Sequence, residues 1–281
     1  MKIFEALQWG ELKLKEAEVD NSRWDADLLL SHVLGGRREQ LYLERERVLT
    51  DEQLKRYLGL IARRSAREPL QYILRNQEFM GLGFYVDERV LIPRADSEIL
   101  VEKLLEFKNL SSEAEVRIAD LCTGSGAIAV SIAHFWPEAF VVGTDLSSAA
   151  LEVARYNGRQ NNVRVEWREG DFCEPIRGEY WDWIVTNPPY IPEKEYGSLA
   201  SEIFKEPKMA LVGAENGLIF YSRLAKAASS LLKPRGKILM EIGWDQAKAV
   251  RDIFQKEGFL TRVFQDYGGR DRVVYAEFST R

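Results

Sequence analysis

The chain is poor in cysteine and histidine, with two of each among 281 residues. Two cysteines cannot staple a chain of this length, which excludes a disulfide scaffold; Cys122 and Cys173 are expected to be reduced, incidental thiols. His32 and His134 fall in helical patterns without partners at metal-ligand spacing, so no metal site is expected and both are read as surface or helix-end residues. No Ser/His/Asp constellation is present, and no apolar run reaches the roughly 18 residues of a membrane-spanning helix. The opening MKIFEALQWGELKLKEAE carries Glu5, Glu11, Glu16 and Glu18. It therefore has neither the apolar core of a secretory signal nor the acid-poor character of a transit peptide, and a cytoplasmic protein is expected. The formal net charge of −5 argues against a nucleic-acid partner, which usually meets a basic stripe. The cluster Arg63, Arg64 and Arg67 is read as a solvated helix end interacting with its dipole. Repeats and low-complexity segments are absent.

What remains is an ordinary globular composition, 46% hydrophobic and 30% charged, long enough for one large or two unequal domains. Residues 1–75 read as helices alone. Ile3, Phe4 and Leu7, then Leu12 and Leu14, form an apolar stripe broken near Gly10. Asn21 and Ser22 are candidate caps for a helix carrying Trp24, Leu28, Leu29 and Val33, stopped by Gly35 and Gly36. Thr50 and Gln53 make a capping box before Leu54, Tyr57, Leu58 and Ile61, and Pro69 ends that helix. Residues 76–92 read as a β-hairpin linker, with Glu78–Met80 and Phe84–Val86 joined through Gly81-Leu82-Gly83. From residue 93 to 281 the period alternates. Strands are predicted at Val116–Leu121, Phe140–Thr144, Val163–Trp167, Trp183–Thr186 and Lys237–Ile242, with helices at Ala127–Phe135, Ala149–Tyr156, Leu218–Leu232 and Gln246–Lys256. This is an α/β pattern: a parallel sheet covered on both faces. Phe259–Phe264 and Arg272–Phe278 follow with no helix between them, an antiparallel pair at the sheet edge.

Asp120-Leu121-Cys122-Thr123-Gly124-Ser125-Gly126 closes the first strand and opens a helix. Gly124 and Gly126 let backbone N–H groups approach a ligand at a helix N-terminus. The second strand ends at Asp145, where a carboxylate can hold two ribose hydroxyls. A nucleoside-containing cofactor follows; the pattern alone does not say which, since Gly124-x-Gly126-x-x-Ala129 also fits a dinucleotide fingerprint.

Asn187-Pro188-Pro189-Tyr190 follows the fourth strand and so lies at the carboxyl edge of the sheet. Two prolines fix φ and remove two donors. The Pro188 carbonyl and the Asn187 side-chain oxygen can then project as rigid acceptors beside the Tyr190 ring. Two acceptors and a flat wall suit a planar NH2 whose lone pair is delocalised. Holding both of its hydrogens orients the nitrogen for in-line attack on a sulfonium methyl. Such catalysis is positioning and electrostatics and needs no strong base, in keeping with the scarcity of histidine.

On these residues the chain resembles the class I S-adenosylmethionine-dependent methyltransferases, and more closely the HemK/PrmC family of release-factor glutamine N5-methyltransferases. Further shared segments are Glu68-Pro69-Leu70, Leu91-Ile92-Pro93-Arg94, Glu206-Pro207 with Ala210-Leu211, Gly217-Leu218 with Tyr221, Glu241-Ile242-Gly243 and Gly269-Arg270-Asp271-Arg272. The resemblance implies a Rossmann-like domain with a mostly parallel seven-stranded sheet, its last strand antiparallel, preceded by a small helical domain that helps grip the substrate. That substrate would be the glutamine of the Gly-Gly-Gln loop in class I peptide-chain release factors, and the enzyme would act as a monomer. Asn187, Pro188 and Tyr190 would be catalytic. Pro189, Arg94 and Glu98 would join them in binding substrate, the last two closing the site from the inter-domain side. Asp120, Cys122, Thr123, Gly124, Ser125, Gly126, Asp145, Leu146, Asp171, Phe172 and Asn187 would hold S-adenosylmethionine, leaving S-adenosylhomocysteine as product.

The sequence departs from the family pattern in places. Cys122 stands where glycine is usual, and its Cβ predicts an altered turn. Arg94-Ala95-Asp96-Ser97-Glu98 replaces Arg-Pro-Asp-Thr-Glu, Ala214-Glu215-Asn216 replaces Gly-x-Asp, and Phe172 replaces Trp or Leu. Alternatives are N6-adenine methylation of DNA or RNA, which shares the planar-amine logic, a ribosomal-protein glutamine methyltransferase, and a cofactor-holding protein without chemistry.

Overall fold

The computed structural model describes residues 1–108 and 115–278. It divides into two compact units, Met1–Asn76 with Ala200–Lys205, and Gln77–Leu199 with Glu206–Arg281. Among the described residues no helix is long and apolar enough to cross a membrane.

The first unit is helical: α1 (Ile3–Glu16), α2 (Ser22–Leu34), α3 (Arg38–Leu43), α4 (Asp51–Ser65) and α5 (Leu70–Leu74). Ile3, Leu14, Leu29, Leu30, Tyr57 and Ile61 form its buried centre. The Thr50 capping box forms as expected, with Gln53 N–H donating to Thr50 Oγ1 at 3.2 Å and Thr50 N–H to Gln53 Oε1 at 3.1 Å. Gly10 does not break its helix; α1 runs through it. A Cβ there would lie 2.1 Å from the Tyr57 hydroxyl, so the glycine serves close helix packing instead. The arginine cluster is also not a solvated end. Arg64 is buried, pairing with Asp25 at 2.7 Å and Glu202 at 3.0 Å, while Arg67 pairs with Glu202 at 2.8 Å. Arg63 pairs with Glu68. Segment 200–205 therefore joins this unit, although it lies within the stretch read as the second domain.

The second unit begins with a hairpin of β1 (Gln77–Phe79) and β2 (Leu82–Phe84). Its turn residues Met80 and Gly81 both have positive φ, 53° and 72°. Next come α6 (Glu98–Lys108), β3 (Arg117–Leu121), α7 (Ala127–Phe135), β4 (Phe140–Asp145), α8 (Ser148–Gln160), β5 (Glu166–Glu169) and β6 (Trp181–Thr186). The two-residue strands β7 (Ile191–Pro192) and β8 (Val212–Gly213) flank the single turn α9 (Glu193–Tyr196), and α10 (Ala214–Gly217) follows. The chain ends with α11 (Ile219–Leu231), β9 (Leu232–Glu241), α12 (Ala247–Lys256), β10 (Phe259–Gln265) and β11 (Asp271–Phe278).

Seven strands form one sheet in the order β10-β11-β9-β6-β3-β4-β5, in which β11 runs antiparallel to both neighbours. Alternation places successive side chains on opposite faces: Ile184 joins the cluster with Leu224, Ile238 and Phe254, while Trp183 and Val185 join Val101, Val130 and Leu239. Helices cover both faces, as near-continuous apolar strands require. One predicted strand starts late. Val163–Val165 lies outside β5 because Asn162 is left-handed at φ 55° and Val163 N–H closes back onto Gly158 O at 3.1 Å, finishing α8. His32 and His134 are exposed, as read from the sequence.

Candidate active site

The carboxyl edge of the parallel strands carries the site. Two adjoining cavities share Leu91, Cys122, Gly124 and Asn187 in their walls. The first also takes in Asp145, Leu146, Ala150, Asp171, Phe172, Pro189, Met209 and Phe220; the second, Arg94, Ser97, Thr123, Ser125 and Ile128.

Asp120, at the end of β3, organises the loop below them. Its Oδ2 accepts from Thr123 Oγ1 at 2.5 Å and from Ala129 N–H at 3.2 Å, capping α7, while Oδ1 has no partner. Burial pushes its carboxyl up to about 7, against the pull of those two donors. The glycine amides are not left for a ligand as the sequence suggested: Gly124 N–H donates to Asp145 Oδ2 at 2.8 Å and Gly126 N–H to Thr123 O at 2.8 Å. Gly124, with open space beside it, contributes a left-handed backbone at φ 55°, and Gly126 contributes clearance. Gly126, at φ 80°, lies where a Cβ would come within 2.9 Å of Trp167. Cys122 adopts φ 59°, the left-handed conformation its Cβ disfavours, at a cost of about 1 kcal/mol for a non-glycine residue. Burial raises its thiol well above the ordinary range, which disfavours the thiolate.

Asp145 ends β4 half-buried, its Oδ1 accepting Ser147 N–H at 2.9 Å. Burial raises its pKa, opposed by the Ser147 and Gly124 amides. Asp171 lines the same cavity, held by Arg223 of α11 at 3.0 and 2.8 Å. Phe172 packs edge-on to Phe220, ring centres 5.0 Å apart. A carboxylate at a strand end facing an apolar slot of Leu146, Ala150, Phe172 and Phe220 fits a nucleoside. These residues fit S-adenosylmethionine, the cofactor of class I methyltransferases. Among the described residues no cluster of His, Cys, Asp or Glu could hold a metal ion.

The Asn187–Tyr190 corner follows β6 directly. Asn187 lines both cavities, and its Nδ2 donates to Ser97 Oγ at 3.2 Å. Oδ1 is the group left over for a ligand. Pro188, expected to be catalytic, is buried and lines neither cavity; Pro189 lines the first. Tyr190 differs from expectation. It lines neither cavity; its ring packs on the core and its hydroxyl donates to Glu241 Oε1 at 3.3 Å. Glu98 also stays out of both walls, its Oε1 accepting Met80 N–H at 2.6 Å and so pinning the left-handed hairpin turn. Arg94 lines the second cavity and pairs with buried Glu206.

The Ala214–Asn216 departure has a visible role. Glu215, Asn216 and Gly217 are left-handed in succession, at φ 54°, 56° and 79°. This coil wraps the corner so tightly that a Cβ on Gly217 would lie 1.9 Å from Tyr190 O. Gln246 Nε2 donates to the same carbonyl at 3.0 Å. Ser97, Glu206, Gln246 and the supporting role of Glu241 were not singled out as site residues. Glu206 and Glu241 stand in segments that carried the family resemblance, the one signal that could have found them.

Residues 5–74 match the family model described as PrmC N-terminal domain, and residues 96–233 the model described as methyltransferase small domain. A release factor glutamine methyltransferase of Clostridium acetobutylicum is 42% identical over 98% of both chains. One from Geobacter sulfurreducens is 41% identical over 97% of this chain and 95% of its own. Among solved structures, a methyltransferase from Pyrococcus furiosus shares the fold at 19% identity, with TM-score 0.54 over 78% of this chain and 100% of that one. Identity at this level along nearly the whole of both relatives makes this chain a member of the release factor glutamine methyltransferase family.

Proposed function

We propose that the chain methylates the side-chain amide nitrogen of the glutamine in the Gly-Gly-Gln loop of class I release factors, acting as a monomer in the cytoplasm. The observation that carries this reading is the commitment of Asn187 Nδ2 to Ser97. It leaves an acceptor, Oδ1, for the substrate in a cavity wall shared with the nucleoside slot. A primary carboxamide offers two N–H hydrogens in one plane, and Asn187 Oδ1 with the Pro188 carbonyl can take both.

When bound, S-adenosylmethionine supplies a methyl group on a sulfonium and leaves as the thioether S-adenosylhomocysteine. Asp145, Leu146, Asp171, Phe172 and Phe220 would hold it. The corner fixes the amide nitrogen and, by accepting its hydrogens, raises electron density on it, a transition-state interaction in a desolvated site. Transfer would form the N–CH3 bond as the S–CH3 bond breaks, and the alkylated nitrogen, now acidic, would give up one hydrogen as a proton to water, so no strong base is required. The helical first unit, matching a domain found in this family, would contribute recognition of the factor.

Labelled S-adenosylmethionine incubated with a release factor, and with its Gln→Ala form as control, tests this. Label is expected on the glutamine side chain of the unaltered factor alone. Label on nucleic acid and none on protein would overturn the reading in favour of adenine methylation.

A further inference from the structure

Gln246 is a buried carboxamide, 8% exposed, that lines neither cavity and yet reaches three segments around the corner. It stands just before α12 and closes the turn after β9: its own N–H donates to Gly243 O at 2.9 Å, and its Oε1 accepts Gly243 N–H at 2.9 Å. Nε2 donates to Tyr190 O at 3.0 Å and to Asn216 O at 3.4 Å. A backbone N–H can only donate and a backbone carbonyl only accept, so a single orientation of this carboxamide satisfies all its partners. Its backbone is held as firmly. Gln246 O accepts Val250 N–H at 3.0 Å in the first turn of α12, and Ala247, Val250 and Phe254 root that helix in the core.

The corner is a short bridge between two fixed ends. Upstream, Thr186 ends β6 with its hydroxyl donating to Leu121 O at 2.8 Å. Downstream, Tyr190 is held by its ring and hydroxyl and, at the backbone, by Gln246; the next residue, Ile191, donates its N–H to Leu211 O at 3.0 Å. Between these ends lie only Asn187, Pro188 and Pro189. Both proline rings set φ, so the aim of the Asn187 side chain and of the Pro188 carbonyl follows from where the ends are held. The surrounding coil allows little slack. A Cβ on Gly213 would lie 2.3 Å from Pro189 O, and one on Gly217 would lie 1.9 Å from Tyr190 O and 2.8 Å from Gln246 Nε2. Tyr190 O is thus enclosed, and Gln246 supplies a hydrogen bond to it from a side chain anchored in the core.

We propose, resting on the function assigned above, that Gln246 is a positioning residue for methyl transfer: by holding Tyr190 O it fixes the downstream end of the corner, and with it the aim of the Asn187 oxygen and the Pro188 carbonyl at the substrate amide. Gln246 stays outside the nucleoside slot, so its loss falls on transfer and spares cofactor binding. The same assignment gives Tyr190 its place. It is the anchor through which the corner is held, which accounts for a ring and hydroxyl committed to the core and to Glu241 rather than to a cavity wall.

The test compares the unaltered chain with Gln246→Ala and with Gln246→Met, which keeps a similar length but has no N–H. Steady-state and single-turnover methylation of a class I release factor are measured, with S-adenosylhomocysteine affinity and stoichiometry by calorimetry. Rates are expressed per binding site so counted, which removes any unfolded fraction. Both variants are expected to lower kcat and the single-turnover rate about tenfold, the worth of one buried hydrogen bond. KM for S-adenosylmethionine and the S-adenosylhomocysteine dissociation constant should stay unchanged, a split that a merely structural role would not produce once rates are counted per site. The inference is overturned if a folded variant keeps the rate of the unaltered chain, or if the loss is carried by cofactor affinity instead of transfer. Should Gln246→Ala fail to fold, Gln246→Met decides alone. Absence of transfer by the unaltered chain would instead count against the function itself.

Discussion

The carboxylate of Glu206 accepts the backbone N–H of Ile92 at 3.0 Å, across 114 positions of sequence. The same side chain pairs with Arg94. It thereby ties the Ile92-Pro93-Arg94 segment to the segment beginning Glu206-Pro207, and the two contribute Leu91, Pro207 and Met209 to one cavity wall. Glu206→Ala strands a buried N–H and frees Arg94. It is expected to cost about 2–3 kcal/mol in urea unfolding and to weaken S-adenosylhomocysteine binding in calorimetry. Glu206→Gln keeps an acceptor for Ile92 and should lose less of both.

Asn187 and Asp145 are expected to fail in opposite ways. Asn187→Ala should leave the cofactor dissociation constant nearly unchanged and lower kcat about 100-fold, the scale of a lost transition-state hydrogen bond. Asp145→Ala should raise that dissociation constant about 10- to 100-fold, as loss of a charge-assisted contact does, with a smaller effect on kcat at saturation. Calorimetry and steady-state kinetics on both variants separate the two roles; a shared pattern would refute the division.

Asp120 and Glu241 make stability depend on pH with a definite sign. Burial holds both carboxyls near 7 in the folded chain, well above their unfolded values, so the folded state binds more protons between about 4 and 7. Stability is expected to fall as pH rises across that window and to level off above it. Asp120→Asn should flatten the slope in urea unfolding series at pH 5, 6, 7 and 8. Below about 4 the slope reverses, because Glu179, Glu202 and Asp266 have lowered values from their hydrogen-bond partners and arginines.

Within the helical unit, two neighbouring arginines should behave differently. Arg64→Ala leaves Asp25 buried without its partner and is expected to cost about 3–5 kcal/mol. Arg63→Ala breaks a half-exposed pair with Glu68, worth at most about 1 kcal/mol. Unfolding of the full chain followed by far-ultraviolet circular dichroism reads both.

These contrasts also show where the sequence was legible. The sheet, the loop after β3 and the corner after β6 are local patterns of period, glycine and proline, and they emerge from a window of residues. Arg64 looked like any arginine near a helix end, because its partner Glu202 lies 138 positions away. Gly10 looked like a breaker because Tyr57, the side chain it makes room for, is on another helix. Tyr190 carried no mark of meeting Glu241 for the same reason: sequence periodicity gives the face of an element, whereas the chain-distant partner is set by topology.

The outward oxygen of Asn187 also bears on damage to the substrate. A glutamine that has deamidated presents a carboxylate, and two acceptors meeting it would repel rather than grip it. An unmodified factor with an aged, acidic loop would thus be refused at the corner itself, and methylation would report the chemical integrity of the residue it marks.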